Sequence, residues 1–143
     1  MRTVFWDGQR KKKENPRFKV RIEPAGPGVF VGQHGFPPPA LKAYREAVAD
    51  DEMGENLEGA LAAVGRAGEY SIGGEHYKRV PRGYDAGHRR AELLKYNGLY
   101  AQSGQILPDV ITTPEFVELC FEHCRSMAPL QQWLVGVAKR FEV

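Results

Sequence analysis

An α+β fold is predicted by three features of the chain. Short stretches of alternating apolar and polar residues occur in the first third and near residue 75, apolar residues recur at helical spacing from about 40 to 67 and from 115 to 140, and glycine and proline punctuate the boundaries. Strands and helices do not alternate regularly, so a parallel βαβ sheet is not indicated. The expected architecture is a small antiparallel sheet of hairpins, with helices packed on one face and a C-terminal helical pair.

Val4, Phe5 and Trp6 suit a short first strand. In FKVRIEPAGPGVFVGQHGF (Phe18 to Phe36), apolar Phe18, Val20 and Ile22 alternate with Lys19, Arg21 and Glu23, the pattern breaks at PAGPG, and it resumes at Val29 to Val31. That is the signature of a β-hairpin with a Pro/Gly loop. Pro37 to Pro39 are expected to hold off regular structure until Ala40, where Leu41, Tyr44, Arg45 and Val48 recur at helical spacing to Ala49. A second helix is predicted from Glu55 to Ala67, with Leu57, Leu61 and Val64 on one face and Gly68 as its stop. Tyr70 to Val80 reads as a bent hairpin turning at Gly73-Gly74. Asp85 suits the N-cap of a helix from Ala86 to Tyr96 that stops at Gly98. Thr112-Thr113-Pro114-Glu115 forms a helix start, with a threonine cap, a proline in the first turn and an acid at the positive end of the dipole. That helix should run to about Met127, break at Pro129, and restart from Leu130 to Arg140.

At 143 residues the chain fits one domain, 1–143, and a domain of this size buries roughly two-thirds of its unfolded surface. Lys and Arg total 20 against 18 for Asp and Glu, so no strong global field draws the protein to nucleic acid or to an anionic membrane. Neither a membrane span nor a secretory leader is indicated. Cys120 and Cys124 stand four apart in a helical pattern, which disfavours a disulfide between them and points to the reducing cytoplasm.

The segment YKRVPRGYDAGHRRAELLKYNGLYA (Tyr77 to Ala101), together with FVELCFEHCRSMAPLQQWLVGV (Phe116 to Val137), resembles a family of uncharacterised bacterial proteins carrying domain of unknown function 2461. The resemblance runs from about Phe18 to Val137, strongest at RVPRGYD and RAELLKYNGLYA. It implies a further N-terminal portion in the family, rich in Arg, Asp, Lys and Tyr, so that this chain reads as a short member equivalent to the C-terminal two-thirds of the family's domain. It also implies Asp-His-Pro where this chain has Gly87, His88 and Arg89, which weakens any role carried over to that turn.

The leading candidate site is the basic cluster Lys78, Arg79, Arg82, His88, Arg89 and Arg90. Guanidinium forks beside a helix start make a physically reasonable anion site, whereas a solvated charge face, with Arg79 or Arg82 paired to Asp85 or Glu92, is the simpler alternative. Arg79, Arg82, His88 and Arg89 are the residues expected to hold a small anionic ligand or partner. In a competing enzymatic reading, His88 is a general acid or base on a phosphate- or carboxylate-bearing substrate. A third reading, an interaction module, calls for an exposed apolar patch near Val29 to Val31 or Trp133.

Cys120, His123 and Cys124 share a helix side and are competent metal ligands, but they lack a visible fourth ligand and continue an apolar stripe. No metal or cofactor is expected. Arg10 to Lys13 could touch phosphates, yet is short and without a binding motif, so no specific nucleic acid is expected. Tyr77, Tyr84, Tyr96 and Tyr100, with Asn97, either line a pocket or fill the core with their hydroxyls at its margin. The glycines around Gly26-Pro27-Gly28 and Gly32 to Gly35 do not open a βαβ helix, so no nucleotide loop is read there.

Overall fold

The computed structural model describes residues 2–6, 16–21, 28–104 and 113–141. Among them five strands form one antiparallel sheet: β1 (Arg2–Trp6), β2 (Arg17–Arg21), β3 (Val29–Gln33), β4 (Ser71–Glu75) and β5 (Tyr96–Gln102), in the order β1-β2-β3-β5-β4. The helices are α1 (Pro38–Ala49), α2 (Asp51–Ala67) and α3 (Glu115–Arg140), and a single 3-10 turn spans Ala91–Lys95. The α+β class is as expected.

The first hairpin forms in the predicted register, with Phe18 opposite Val31 and Val20 opposite Val29. Its PAGPG loop falls mainly outside the described residues. The first strand also forms, pairing Val4 with Lys19 and Phe5 with Phe18. Because side chains alternate across a strand, Val29 and Val31 enter the core with Leu99 and Ala101 of β5, while Lys19, Phe30 and Tyr100 occupy the other face. On that far face Lys19 lies 4.7 Å over the Phe30 ring and donates to His34 Nε2 at 3.4 Å.

The helical layer is built around α3, which packs against β2, β3 and β5 on one side and against α1 and α2 on the other. Met127, Leu130, Trp133 and Leu134 meet Tyr44, Val48, Leu57 and Val64 in one core. Burying each such large side chain contributes about 1.5–3 kcal/mol. Trp133 satisfies its buried indole N–H on the Met53 carbonyl at 2.8 Å, which fixes α3 to the first turn of α2.

Five local expectations are corrected. The prolines do not delay α1: it starts at Pro38, because the first-turn N–H groups of a helix need no intrahelical partner, and its first bond runs from Leu41 N–H to the Pro37 carbonyl at 2.9 Å. α2 starts at Asp51 and not at Glu55, since the Asp50 carboxylate accepts the Met53 N–H at 2.9 Å and caps it. Gly73-Gly74 is no hairpin turn but the middle of β4. The Tyr100 ring lies across Gly73, where a Cβ would come within 2.3 Å of it, and Gly74 sits at φ 116° against the Gly98 carbonyl.

The predicted helix from Ala86 to Tyr96 is replaced by a turn, the 3-10 segment and the start of β5. The Asp85 carboxylate accepts the Gly87 N–H at 2.8 Å, closing a local turn, and Gly98 is required for close approach to the His34 carbonyl, not for stopping a helix. Finally, α3 runs unbroken through Pro129, so the C-terminal helical pair is one helix. The core contacts of Met127, Leu130, Trp133 and Leu134, on both sides of the proline, offset the one lost backbone bond. The α3 start is as read: Pro114 already has helical φ and ψ (−60°, −23°), and the Thr113 carbonyl accepts the Phe116 N–H at 3.2 Å.

Arg90 joins these parts. It is 3% exposed, and its guanidinium donates to the Val48 carbonyl at 2.7 Å, the Asp50 carbonyl at 3.2 Å and Glu58 at 3.4 Å. Gly54 leaves room for it, because a Cβ there would meet Arg90 Nε at 2.2 Å and the Val48 oxygen at 2.6 Å. Gly54→Ala is therefore expected to destabilise the fold by about 1–3 kcal/mol through overpacking. Gly59→Ala, on the exposed side of the same helix with open space around it, should stabilise it by about 0.5–1 kcal/mol. Urea denaturation midpoints of the two variants check the opposite signs.

Candidate functional site

The 3-10 segment and the start of β5 hold together the elements around a cleft. Tyr44 of α1 donates its hydroxyl to the Leu93 carbonyl at 2.7 Å. The N–H groups of His76 and Tyr77 both reach the Lys95 carbonyl, at 3.1 and 2.8 Å, and Phe36 N–H reaches Asn97 at 2.7 Å. These bonds bring Phe36, the first turns of α1 and Tyr77 around one space. Tyr84 is brought in by a tight turn, in which its N–H returns to the Pro81 carbonyl at 3.3 Å and Gly83 takes φ 95°, a conformation suited to glycine.

The resulting cleft has a volume of about 480 Å³, within the range common for small-molecule sites. Phe36, Pro38 and Leu41 form its apolar wall, and Lys42, Arg45, Tyr77 and Tyr84 supply its polar groups. The Arg45 guanidinium lies 5.4 Å from the Tyr77 ring centroid, within cation–π range. Its Nε is shut off from solvent and has no hydrogen-bond partner among the described residues, a buried donor that the described protein groups leave unsatisfied. Burial raises the Tyr84 hydroxyl above its usual pKa, Glu46 raises it further and Arg45 opposes them, so the phenol stays protonated at neutral pH and able to donate.

A family model described as "Conserved hypothetical protein (DUF2461)" matches residues 1–133. The chain belongs to the DUF2461 family. Comparison with curated proteins and with solved structures gave no match.

In this DUF2461 chain the basic residues singled out from sequence separate into different roles. Lys78, Arg79 and Arg82 are exposed on the turn between Tyr77 and Tyr84, next to the cleft, and neither arginine pairs with Asp85 or Glu92. Arg89 faces α2 instead, 3.6 Å from both Glu55 and Glu58. His88 is half-buried; its Nδ1 accepts the Arg90 N–H at 3.0 Å, and its own N–H donates to the Asp85 carbonyl at 3.0 Å. It does not line the cleft. The helix start expected beside these residues is not formed, and the cations that line the cleft, Lys42 and Arg45, come from α1.

Lys42 and Arg45 were not picked out as site residues. The signal was present: Arg45 fell among the residues recurring at core spacing in α1, a place where an arginine needs a reason. Of the four tyrosines, Tyr77 and Tyr84 line the cleft, whereas Tyr100 stacks on Phe30 at 5.1 Å across the far face of the sheet. Val29, Val31 and Trp133 are buried, so the apolar patch sought there is not present. The large exposed apolar side chains Val117 and Phe121 lie on α3 instead. Arg10 to Lys13 lie outside the described residues, and no described helix is long and apolar enough to cross a membrane.

Among the described residues no group of three or more His, Cys, Asp or Glu is placed to hold a metal. Cys120 and Cys124 are both free. Burial pushes both thiols up, with Cys120 adding to the effect on Cys124, which reaches about 11, so neither is a ready thiolate. His123 Nδ1 shares a hydrogen bond of 2.9 Å with the Tyr70 hydroxyl, and burial lowers its pKa from the usual 6.5 against the opposing pull of Glu122. A lowered folded-state pKa means that the unfolded chain binds the proton more readily. The contribution is complete above the unfolded value and disappears as pH falls below it through the folded value. Stability should therefore fall as pH drops below about 6.5, with a flatter slope in His123→Gln, measured as urea midpoints between about pH 5 and pH 7.

Proposed function

We propose that this DUF2461 chain binds a small anionic ligand in the cleft between α1 and the Tyr77 to Tyr84 turn. The observation that carries this reading is Arg45: a cation stacked on one aromatic ring in an open cleft, with a solvent-shielded Nε that has no described protein partner. Lys42 supplies a second positive charge and Tyr84 a phenolic donor. Arg79 and Arg82, exposed on the adjoining turn, add a local positive field that favours capture of an anion. His88 and Arg89 have structural partners and play no direct part. With two free thiols, the protein suits a reducing cytoplasm.

Thermal unfolding of the purified chain with inorganic phosphate, sulfate, acetate and larger carboxylates tests the reading. A ligand at 100 times its dissociation constant stabilises by about 2.7 kcal/mol, and a clear rise in Tm is expected with at least one anion. The rise should disappear in Arg45→Gln and persist in Arg89→Gln. If no anion in the panel shifts the transition, or if Arg89→Gln abolishes a shift that Arg45→Gln preserves, the assignment to this cleft is wrong.

A further inference from the structure

The construction of the cleft narrows the class of anion it takes, an inference that rests on the anion-binding reading above. The Arg45 guanidinium carbon lies 5.4 Å from the Tyr77 ring centroid, and the residue lines the cleft. A guanidinium fork matches the two coplanar oxygens of a carboxylate. The rest of the lining is carbon-rich: Phe36, Pro38 and Leu41 on one side, and the rings of Tyr77 and Tyr84. An inorganic oxyanion would leave most of the roughly 480 Å³ and its apolar wall uncovered, whereas a flat hydrocarbon body would be enclosed by it. Two cations, Lys42 and Arg45, line the space, and the remaining lining is apolar or aromatic. One guanidinium fork takes one carboxylate head, and the carbon-rich lining suits the rest of the ligand being uncharged.

We infer that the cleft binds an aromatic monocarboxylate, with its carboxylate on Arg45 beside Lys42 and its ring between the Phe36 and Leu41 wall and the two tyrosines. Recognition uses aromatic packing for the body and a charge-assisted fork for the head.

Calorimetric titration of the full chain with phenylacetate, acetate, inorganic phosphate and benzyl alcohol separates the contributions. Phenylacetate is expected to bind about tenfold or more tightly than each of the other three, because only it supplies both head and body. Arg45→Gln should weaken phenylacetate by about tenfold, Arg45→Lys should recover only part of the loss, and Lys42→Gln, at an exposed position, should weaken it by about threefold or more. Melting curves of each variant establish that it is folded. Phosphate or acetate binding as tightly as phenylacetate would overturn the ligand class and leave the anion site standing. No binding of any anion would remove both readings, and unchanged phenylacetate affinity in both Arg45→Gln and Lys42→Gln would put the ligand elsewhere and overturn the inference.

Discussion

The buried guanidinium of Arg90 is the constraint around which this fold is arranged. A charged side chain at 3% exposure is tolerable only when its donors are satisfied, and Arg90 meets that condition with acceptors at the junction of two helices. The Val48 carbonyl belongs to the last turn of α1, where carbonyls lack intrahelical donors, and a cation there also complements the helix dipole. The Asp50 carbonyl and Glu58 belong to the start and middle of α2. One side chain thus fixes the angle between two helices and anchors the 3-10 segment to their junction. From that segment the Lys95 carbonyl takes the Tyr77 N–H, and Leu93 takes the Tyr44 hydroxyl, so the position of both cleft walls follows from where Arg90 sits.

The arginines of the chain show why charge in a sequence does not by itself mark a site. Arg89 and Arg90 are neighbours, yet one bridges exposed glutamates and the other lies in the interior. Exposed pairs of the first kind contribute little, while loss of a buried, hydrogen-bonded charge leaves its partners stranded. Arg45 differs from both. Its guanidinium lies within cation–π range of Tyr77, and its Nε meets no described acceptor; the proposed ligand site rests on this arrangement.

Much of the fold was legible because its signals are local. The β2–β3 hairpin followed from strict alternation at Phe18, Val20, Val29 and Val31, and α2 ended at Gly68 as read. What failed depended on contacts distant in sequence. Gly98 resembles a helix stop until the His34 carbonyl is seen against it, and Gly73 resembles a turn until the Tyr100 ring is laid across it. Pro129 resembles a break, yet the core contacts on both sides of it hold α3 continuous. At the cleft, Tyr77 and Tyr84 belong to the segment the sequence marks, while the cations lining it, Lys42 and Arg45, come from α1. Tertiary bonds from Tyr77 to Lys95 and from Tyr44 to Leu93 bring the two together through the 3-10 segment.

The central claim, that Arg90 and the cleft wall form one cooperative unit, is tested most directly by native-state hydrogen exchange at the Arg90 Nε–H and at the Tyr77 backbone N–H. Both groups should be protected and should open with the same free energy, because releasing Arg90 releases the segment that holds Tyr77. An Arg90 Nε–H that exchanges as fast as those of exposed arginines such as Arg79, or a Tyr77 amide that opens far more readily than Arg90, would contradict the account.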